Sequence, residues 1–230
     1  MMNQSSTMKL VGKVAITRLH GLYVITDAGA AGGHEGMARA AISGGARVLQ
    51  LRAKSTPFAG RLEVAHELRR LTRDAGICFI INDDIELALA AHADGVHLGP
   101  DDLSPTKARQ ILGPNFLIGV SCGDESEAKI AWENGADYIG AGAIFSTQTK
   151  LDAGAPIGLS KLCAIVQATP LPVAAIGGIA LSNIASARQA GAKMACVISA
   201  VSGAGDESAM TTATYALAGA FESAIDKSAK

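Results

Sequence analysis

Aromatic side chains are scarce in this chain: one Trp, three Tyr and five Phe among 230 residues, 4% in all. The core must therefore be built from smaller apolar groups, and much of the 49% hydrophobic fraction is Ala, Val and Ile. Together with 26 glycines, these suit closely packed strands and helices joined by tight turns. Charge is sparse as well, at 18% against roughly 25% for an average domain. It also nearly cancels, with 20 Lys+Arg against 21 Asp+Glu for a net −1. That balance leaves no broad cationic face and excludes a general nucleic-acid binder. No apolar run reaches the roughly 18 residues a membrane-spanning helix needs. The cysteines Cys78, Cys122, Cys163 and Cys196 stand far apart with no C-x-x-C, which excludes a zinc or dithiol motif and a disulfide scaffold. Cys78 and Cys196 lie in apolar runs and read as reduced, buried small hydrophobes. Residues 1–20 carry Lys9, Lys13 and Arg18, no acid, and no apolar stretch of signal-peptide length. They read as a flexible extension ahead of one domain over residues 21–230, and the expected location is cytoplasmic.

Short β-branched apolar runs recur along the chain: Leu22–Thr26, Val48–Leu51, Cys78–Ile81, Val96–Leu98, Leu117–Ser121, Tyr138–Gly142, Val173–Ile176 and Ala195–Ser199. Each is nearly continuously apolar, as a strand covered on both faces would be. Segments with helical spacing lie between them, including Phe58–Asp74, Ile85–Ala91, Glu125–Asn134 and Asn183–Ala190. Glycines at 44–45, 76, 135 and 191 read as helix stops, and Ser104-Pro105 and Asp124 read as helix starts. Three stops look alike: Gly45-Ala46-Arg47, Gly135-Ala136-Asp137 and Gly191-Ala192-Lys193. Alternating strands and helices imply parallel pairing with right-handed crossovers. Eight such units predict a single α/β (β/α)8 TIM barrel. The rival, an open doubly wound sheet, usually carries G-x-G-x-x-G after strand one. Here Asp27–Gly33 misses that spacing and reads as a flexible loop.

In such a barrel the chemistry sits in the loops after the strands. Strand two ends in Gln50-Leu51-Arg52-Ala53-Lys54, and alternation turns Gln50, Arg52 and Lys54 the same way. Two cations and an amide on a buried strand call for an anionic ligand. Strand three ends in Asn82-Asp83-Asp84, and strand four runs into His97-Leu98-Gly99-Pro100-Asp101-Asp102. Acids at neighbouring strand ends can converge on one hard cation such as Mg²⁺, although one acid of each pair could instead cap a helix. His97 reads as a packed, hydrogen-bonded strand residue. Strand five ends at Ser121, and after strand six Thr147-Gln148-Thr149-Lys150 begins a long loop that reaches Gly158. Its hydroxyls and Lys150 form a phosphate-binding set. Strand seven ends in Gly177-Gly178 and strand eight in Ile198-Ser199, the usual place for a backbone phosphate cup. The inventory divides into two anion sites, one with Mg²⁺ and one neutral. No Cys–His or Ser–His pair stands out as an activated nucleophile, so loss of a diphosphate fits better than acyl transfer.

In order, Gln50–Lys54, Asn82-Asp83, His97-Leu98-Gly99-x-x-Asp102, Gly119–Ser121, Thr147–Lys150, Ile176–Ile179 and Ile198–Ala200 resemble the thiamine phosphate synthase family from about Leu22 to Val201. The resemblance implies a transferase that joins hydroxymethylpyrimidine diphosphate to hydroxyethylthiazole phosphate. The products are thiamine phosphate and pyrophosphate, formed by a dissociative reaction through a pyrimidine carbocation. It implies that Asp83 and Asp102 bind Mg²⁺. Gln50 to Lys54, Asn82, Ser121 and Lys150 would bind the pyrimidine diphosphate, with Arg52, Lys54, Ser121 and Lys150 closest to the chemistry. Thr147, Gln148, Thr149, Gly177, Gly178, Ile198 and Ser199 would hold the thiazole phosphate. The implied partners are these small molecules, with no nucleic acid and no membrane, and a homo-oligomer is compatible. Four positions depart from the family pattern: Ala53 in place of an acid, Pro100 of Gln, Gly123 of His and Ser146 of Pro. A thiazole tautomerase and a non-catalytic thiazole-phosphate-binding paralogue are the alternatives. The complete Thr-x-Thr-Lys set and the second acid argue for the synthase.

Overall fold

The computed structural model describes residues 16–54, 56–149 and 154–224. Eight parallel strands close into a barrel in sequence order: β1 Gly21–Ile25, β2 Val48–Leu51, β3 Cys78–Asn82, β4 Gly95–Leu98, β5 Leu117–Cys122, β6 Tyr138–Ala141, β7 Val173–Ile176 and β8 Met194–Val197. The ring shuts where Leu22 pairs with Ala195 and Tyr23 with Cys196. Helices α1 Gly33–Ser43, α2 Phe58–Ala75, α3 Ile85–Ala90, α4 Pro105–Leu112, α5 Glu125–Glu133, α6 Gly158–Ala168, α7 Ile184–Gln189, α8 Ser199–Ser202 and α9 Glu207–Ser223 surround it. Among the described residues no helix is long and apolar enough to cross a membrane.

Alternation along each strand separates two cores. Outward residues such as Leu22, Val24, Leu49, Phe79 and Ile139 pack under the helices. Inward residues such as Tyr23, Val48, Cys78, Ile80, Leu117, Tyr138 and Met194 fill the barrel. Leu19 also belongs to this inner set at 3% exposure, and Arg18 donates to the Gly76 carbonyl. The first strand begins at residue 21, the boundary expected from sequence, and Leu19 ahead of it packs into the same interior; residues 1–15 lie outside the described residues. Cys78, Cys122 and Cys196 are buried and all four thiols are free; burial pushes the Cys122 thiol up to about 12.

The three look-alike stops share one geometry. Gly45, Gly135 and Gly191 adopt φ of 92°, 89° and 97°. The next residue's N–H then reaches back to a helix carbonyl: Ala46 to Ala41, Ala136 to Ala131 and Ala192 to Ala187. This is the Schellman turn, which only a residue tolerating the left-handed region makes cheaply. Helix starts match their expected signals too. Ser104 and Asp124 accept from the N–H groups of Lys107 and Glu127, and Glu127 reaches back to the Gly123 N–H at 2.6 Å. Two expectations change. The loop after β1 is tied by successive turns, with Ala30 N–H on the Asp27 carbonyl and Gly33 N–H on the Ala30 carbonyl. Strand eight stops at Val197, because Ile198 turns to φ −126°, ψ −80° and Ser199 opens α8.

Candidate active site

At the C-terminal mouth lies a cavity of about 320 Å³. Gln50, Arg52, Asn82, Ser121, Thr147, Thr149, Gly177, Gly178, Ile198 and Ser199 all line it. Leu51, Ala53, Lys54 and Asp83 line a neighbouring pocket that shares Asn82 with the cavity. Leu51 faces the outer core at 2% exposure and Ala53 packs against that core, so neither follows Gln50 inward. Gln148 is exposed and does not line the cavity. Lys150 lies outside the described residues.

The acids sort by backbone. Asp84, extended at φ −93° and ψ 100°, caps α3 by accepting from Leu87 N–H, and its other oxygen pairs with Arg61 at 2.8 Å. Asp83 is turned to φ 64°, off the helix axis, and its carboxylate meets Lys54 Nζ at 3.1 Å. Asp102 caps no helix; it accepts from the Gly99 N–H at 2.7 Å, folding the β4 loop back on itself. Its carboxyl titrates above the usual range. Partial desolvation is the largest cause, opposed by the Gly99 N–H, and the adjacent Asp83 carboxylate pushes it further up. Two acids crowding one place without full neutralisation are a donor set for a divalent cation. Among the described residues no group of three or more His, Cys, Asp or Glu gathers to hold a metal. Two neighbouring carboxylates fit an ion that keeps water or ligand oxygens for the rest of its shell, as Mg²⁺ does.

Among the described residues, those after β6 to β8 that line the cavity carry no charge. Thr149 Oγ1 donates to Ser199 Oγ at 3.2 Å, and the Thr149 N–H donates to Thr147 Oγ1 at 3.3 Å, tying the β6 loop to the start of α8. Gly178 sits at φ 62°, and a Cβ there would run into the Ser146 carbonyl. Asn183 clamps this turn, donating to the Gly178 carbonyl and accepting from the Ala180 N–H, both at 2.9 Å. Sequence reasoning read Asn183 only as the start of a helix.

Sequence reasoning also missed a polar chain inside the barrel. Gln50 Nε2 donates to the Tyr23 hydroxyl at 2.7 Å, and the Tyr23 and Tyr138 hydroxyls are 3.1 Å apart. Tyr138 lies 3.0 Å from His97 Nδ1, whose Nε2 is 3.0 Å from Ser121 Oγ. Two of the chain's three tyrosines thus meet in the barrel. They have room because a Cβ at Gly119 would strike the Tyr138 ring, and one at Gly140 would come within 2.8 Å of His97. Burial raises both phenols well above the ordinary value, so they remain protonated. As expected, His97 is a bonded strand residue.

Fold and mouth together define a (β/α)8 barrel whose mouth has Arg52, Lys54 and the Asp83–Asp102 pair on one side and a Gly177-Gly178 turn with hydroxyls on the other. Residues 22–201 match the family model described as thiamine monophosphate synthase. The chain is 49% identical over 198 residues to a thiamine-phosphate synthase of Chloroflexus aurantiacus, covering 85% of this chain and 91% of that protein. It is 47% identical over 190 residues to one of Moorella thermoacetica, covering 82% of this chain and 90% of that protein. A solved thiamine phosphate pyrophosphorylase from Pyrococcus furiosus superposes with a TM-score of 0.84 at 39% identity, covering 92% of this chain and 99% of that one. The chain belongs to the thiamine monophosphate synthase family.

Proposed function

We propose that this transferase joins hydroxymethylpyrimidine diphosphate to hydroxyethylthiazole phosphate and releases pyrophosphate, with the pyrimidine diphosphate on the β2–β5 side and the thiazole phosphate on the β6–β8 side. The observation that carries the reading is a barrel mouth with two unlike anion rims: Arg52 in the cavity with the Lys54–Asp83–Asp102 cluster in and beside the adjoining pocket on one, and Thr149–Ser199 with Gly177-Gly178 on the other. Asp83 and Asp102 would hold Mg²⁺, which would offset the charge of the diphosphate. Arg52 and Lys54, with Lys150 from the β6 loop, neutralise the diphosphate oxygens as the pyrimidine methylene–oxygen bond breaks and its electron pair leaves with oxygen. The thiazole nitrogen, held by its phosphate at the neutral rim, then gives its lone pair to the methylene carbon. Holding both partners in one cavity makes that attack effectively intramolecular. The site is expected to work in the cytoplasm, where such thiols remain reduced.

The test is direct. Purified protein, both substrates and Mg²⁺ should release pyrophosphate and form thiamine phosphate together. Thiazole phosphate binding without turnover would instead favour the non-catalytic paralogue, and turnover of thiazole phosphate alone the tautomerase.

A further inference from the structure

The chain of hydrogen bonds from Gln50 to Ser121 has a direction, and the direction can be read from which atoms can donate. Gln50 Nε2 is a donor only, so the Tyr23 oxygen accepts there. The one Tyr23 proton must then go to the Tyr138 oxygen, 3.1 Å away. Tyr138 in turn spends its only proton on His97 Nδ1. A neutral His97 accepting at Nδ1 carries its proton on Nε2, and that proton points at Ser121 Oγ. The Ser121 oxygen is then occupied as an acceptor, and its own proton remains for the cavity it lines.

We infer that this one-way chain locks His97 in the Nε2–H tautomer and makes Ser121 a hydrogen-bond donor to an acceptor atom of the bound substrate, with Tyr23, Tyr138 and His97 as positioning residues. Three features support it beyond the distances. The chain starts in the buried interior, at Gln50, Tyr23 and Tyr138, where a reversed or broken link would strand a polar group, and reaches the cavity through the half-buried His97 and Ser121. Gly119 and Gly140 leave the space that Tyr138 and His97 occupy. Both phenols are held protonated by burial, so each link has its donor. That Ser121 meets substrate rests on the proposed function; the tautomer does not.

Two measurements test it. Nitrogen NMR of the substrate-free wild type should show His97 neutral with Nδ1 bare and Nε2 protonated. A protonated Nδ1, alone or as part of an imidazolium, would overturn the direction whatever the enzyme does. In Tyr138→Phe the fixed tautomer should give way to a mixture, and pyrophosphate release should fall about tenfold, the worth of one aligned hydrogen bond. In a Ser121→Ala background, Tyr138→Phe should cost nothing further, because it acts through Ser121. If the two losses multiply instead, Tyr138 is not acting through Ser121 and the positioning role fails. Thermal melts of each variant separate this from loss of fold. A wild type that releases no pyrophosphate would sink the proposed function and leave the tautomer result standing.

Discussion

The two rims of the mouth offer an anion different things. After β2 to β4 the offer is ionic: Arg52, Lys54, Asp83 and Asp102, with Lys54 and Asp83 already paired at 3.1 Å. After β6 to β8 the described lining residues offer no charge: hydroxyls of Thr147, Thr149 and Ser199 around a Gly177-Gly178 turn clamped by Asn183. A leaving diphosphate gains charge as its bond breaks, so formal charges and a divalent ion act where charge develops. A phosphate that only anchors its ligand keeps its charge throughout, and fixed dipoles are enough to hold it. The ionic rim would therefore act on rate, and the neutral rim on affinity.

Asp102→Ala is the largest break in that division. It should lower pyrophosphate release by about 100-fold, the scale seen when one preorganised electrostatic group is removed. Thiazole phosphate affinity should stay within about twofold, and the fold should lose no more than about 1 kcal/mol from the Gly99 bond. Titration with Mg²⁺ is the check; near-normal activity at saturating Mg²⁺ would remove Asp102 from the metal set. On the other rim, Ser199→Asp puts a like charge in the cup. Thiazole phosphate should bind about tenfold weaker while single-turnover chemistry at saturation changes little. Unchanged affinity by calorimetry would move the anchor elsewhere.

These two rims were unequally legible from sequence. The ionic one announced itself through residue types at strand ends, yet which acid was free could not be read. Asp83 and Asp84 are neighbours with the same side chain. Only the φ of 64° at Asp83, against the extended Asp84, assigns one to the mouth and one to the cap. The neutral rim showed its glycines but not Asn183, whose side chain turns back onto the loop instead of its own helix. Strand eight read two residues too long at its end because Ile198 and Ser199 look like strand residues, and only the backbone break after Val197 makes them the start of α8. The tyrosine chain was least legible, since Tyr23 and Tyr138 are 115 residues apart and only barrel closure and register join them. Strand order, by contrast, needed only alternation and glycine stops, because those signals are local.

A smaller effect sharpens the ionic rim. With its carboxyl raised, Asp102 binds a proton more readily in the folded chain than in the unfolded one. Its contribution to stability is full below the ordinary carboxylate range and is lost as pH rises through the raised value. A cation between Asp83 and Asp102 should restore that loss. Mg²⁺ should therefore raise the melting temperature at pH 7 and have little effect in acid, below the raised value at which Asp102 gains its proton. Asp102→Asn should abolish most of the Mg²⁺ shift. A shift of equal size in that variant would mean that the ion sits elsewhere.

The smallest effect compares a glycine at a helix stop with one in the neutral rim. Gly135 and Gly178 both take left-handed φ, 89° and 62°. A Cβ at Gly135 would meet nothing within 4 Å, whereas at Gly178 it would run into the Ser146 carbonyl. Gly135→Ala should therefore cost only conformational strain, about 1–2 kcal/mol, and leave both substrates' kinetics untouched. Gly178→Ala carries the same strain and must also move Ser146, next to Thr147, so it should weaken thiazole phosphate binding as well. Denaturant unfolding and calorimetry on the pair separate backbone strain, common to both, from the shape of the cup, which only Gly178 serves. Equal losses of affinity in the two variants would mean that the neutral rim reads fold stability and not its own geometry.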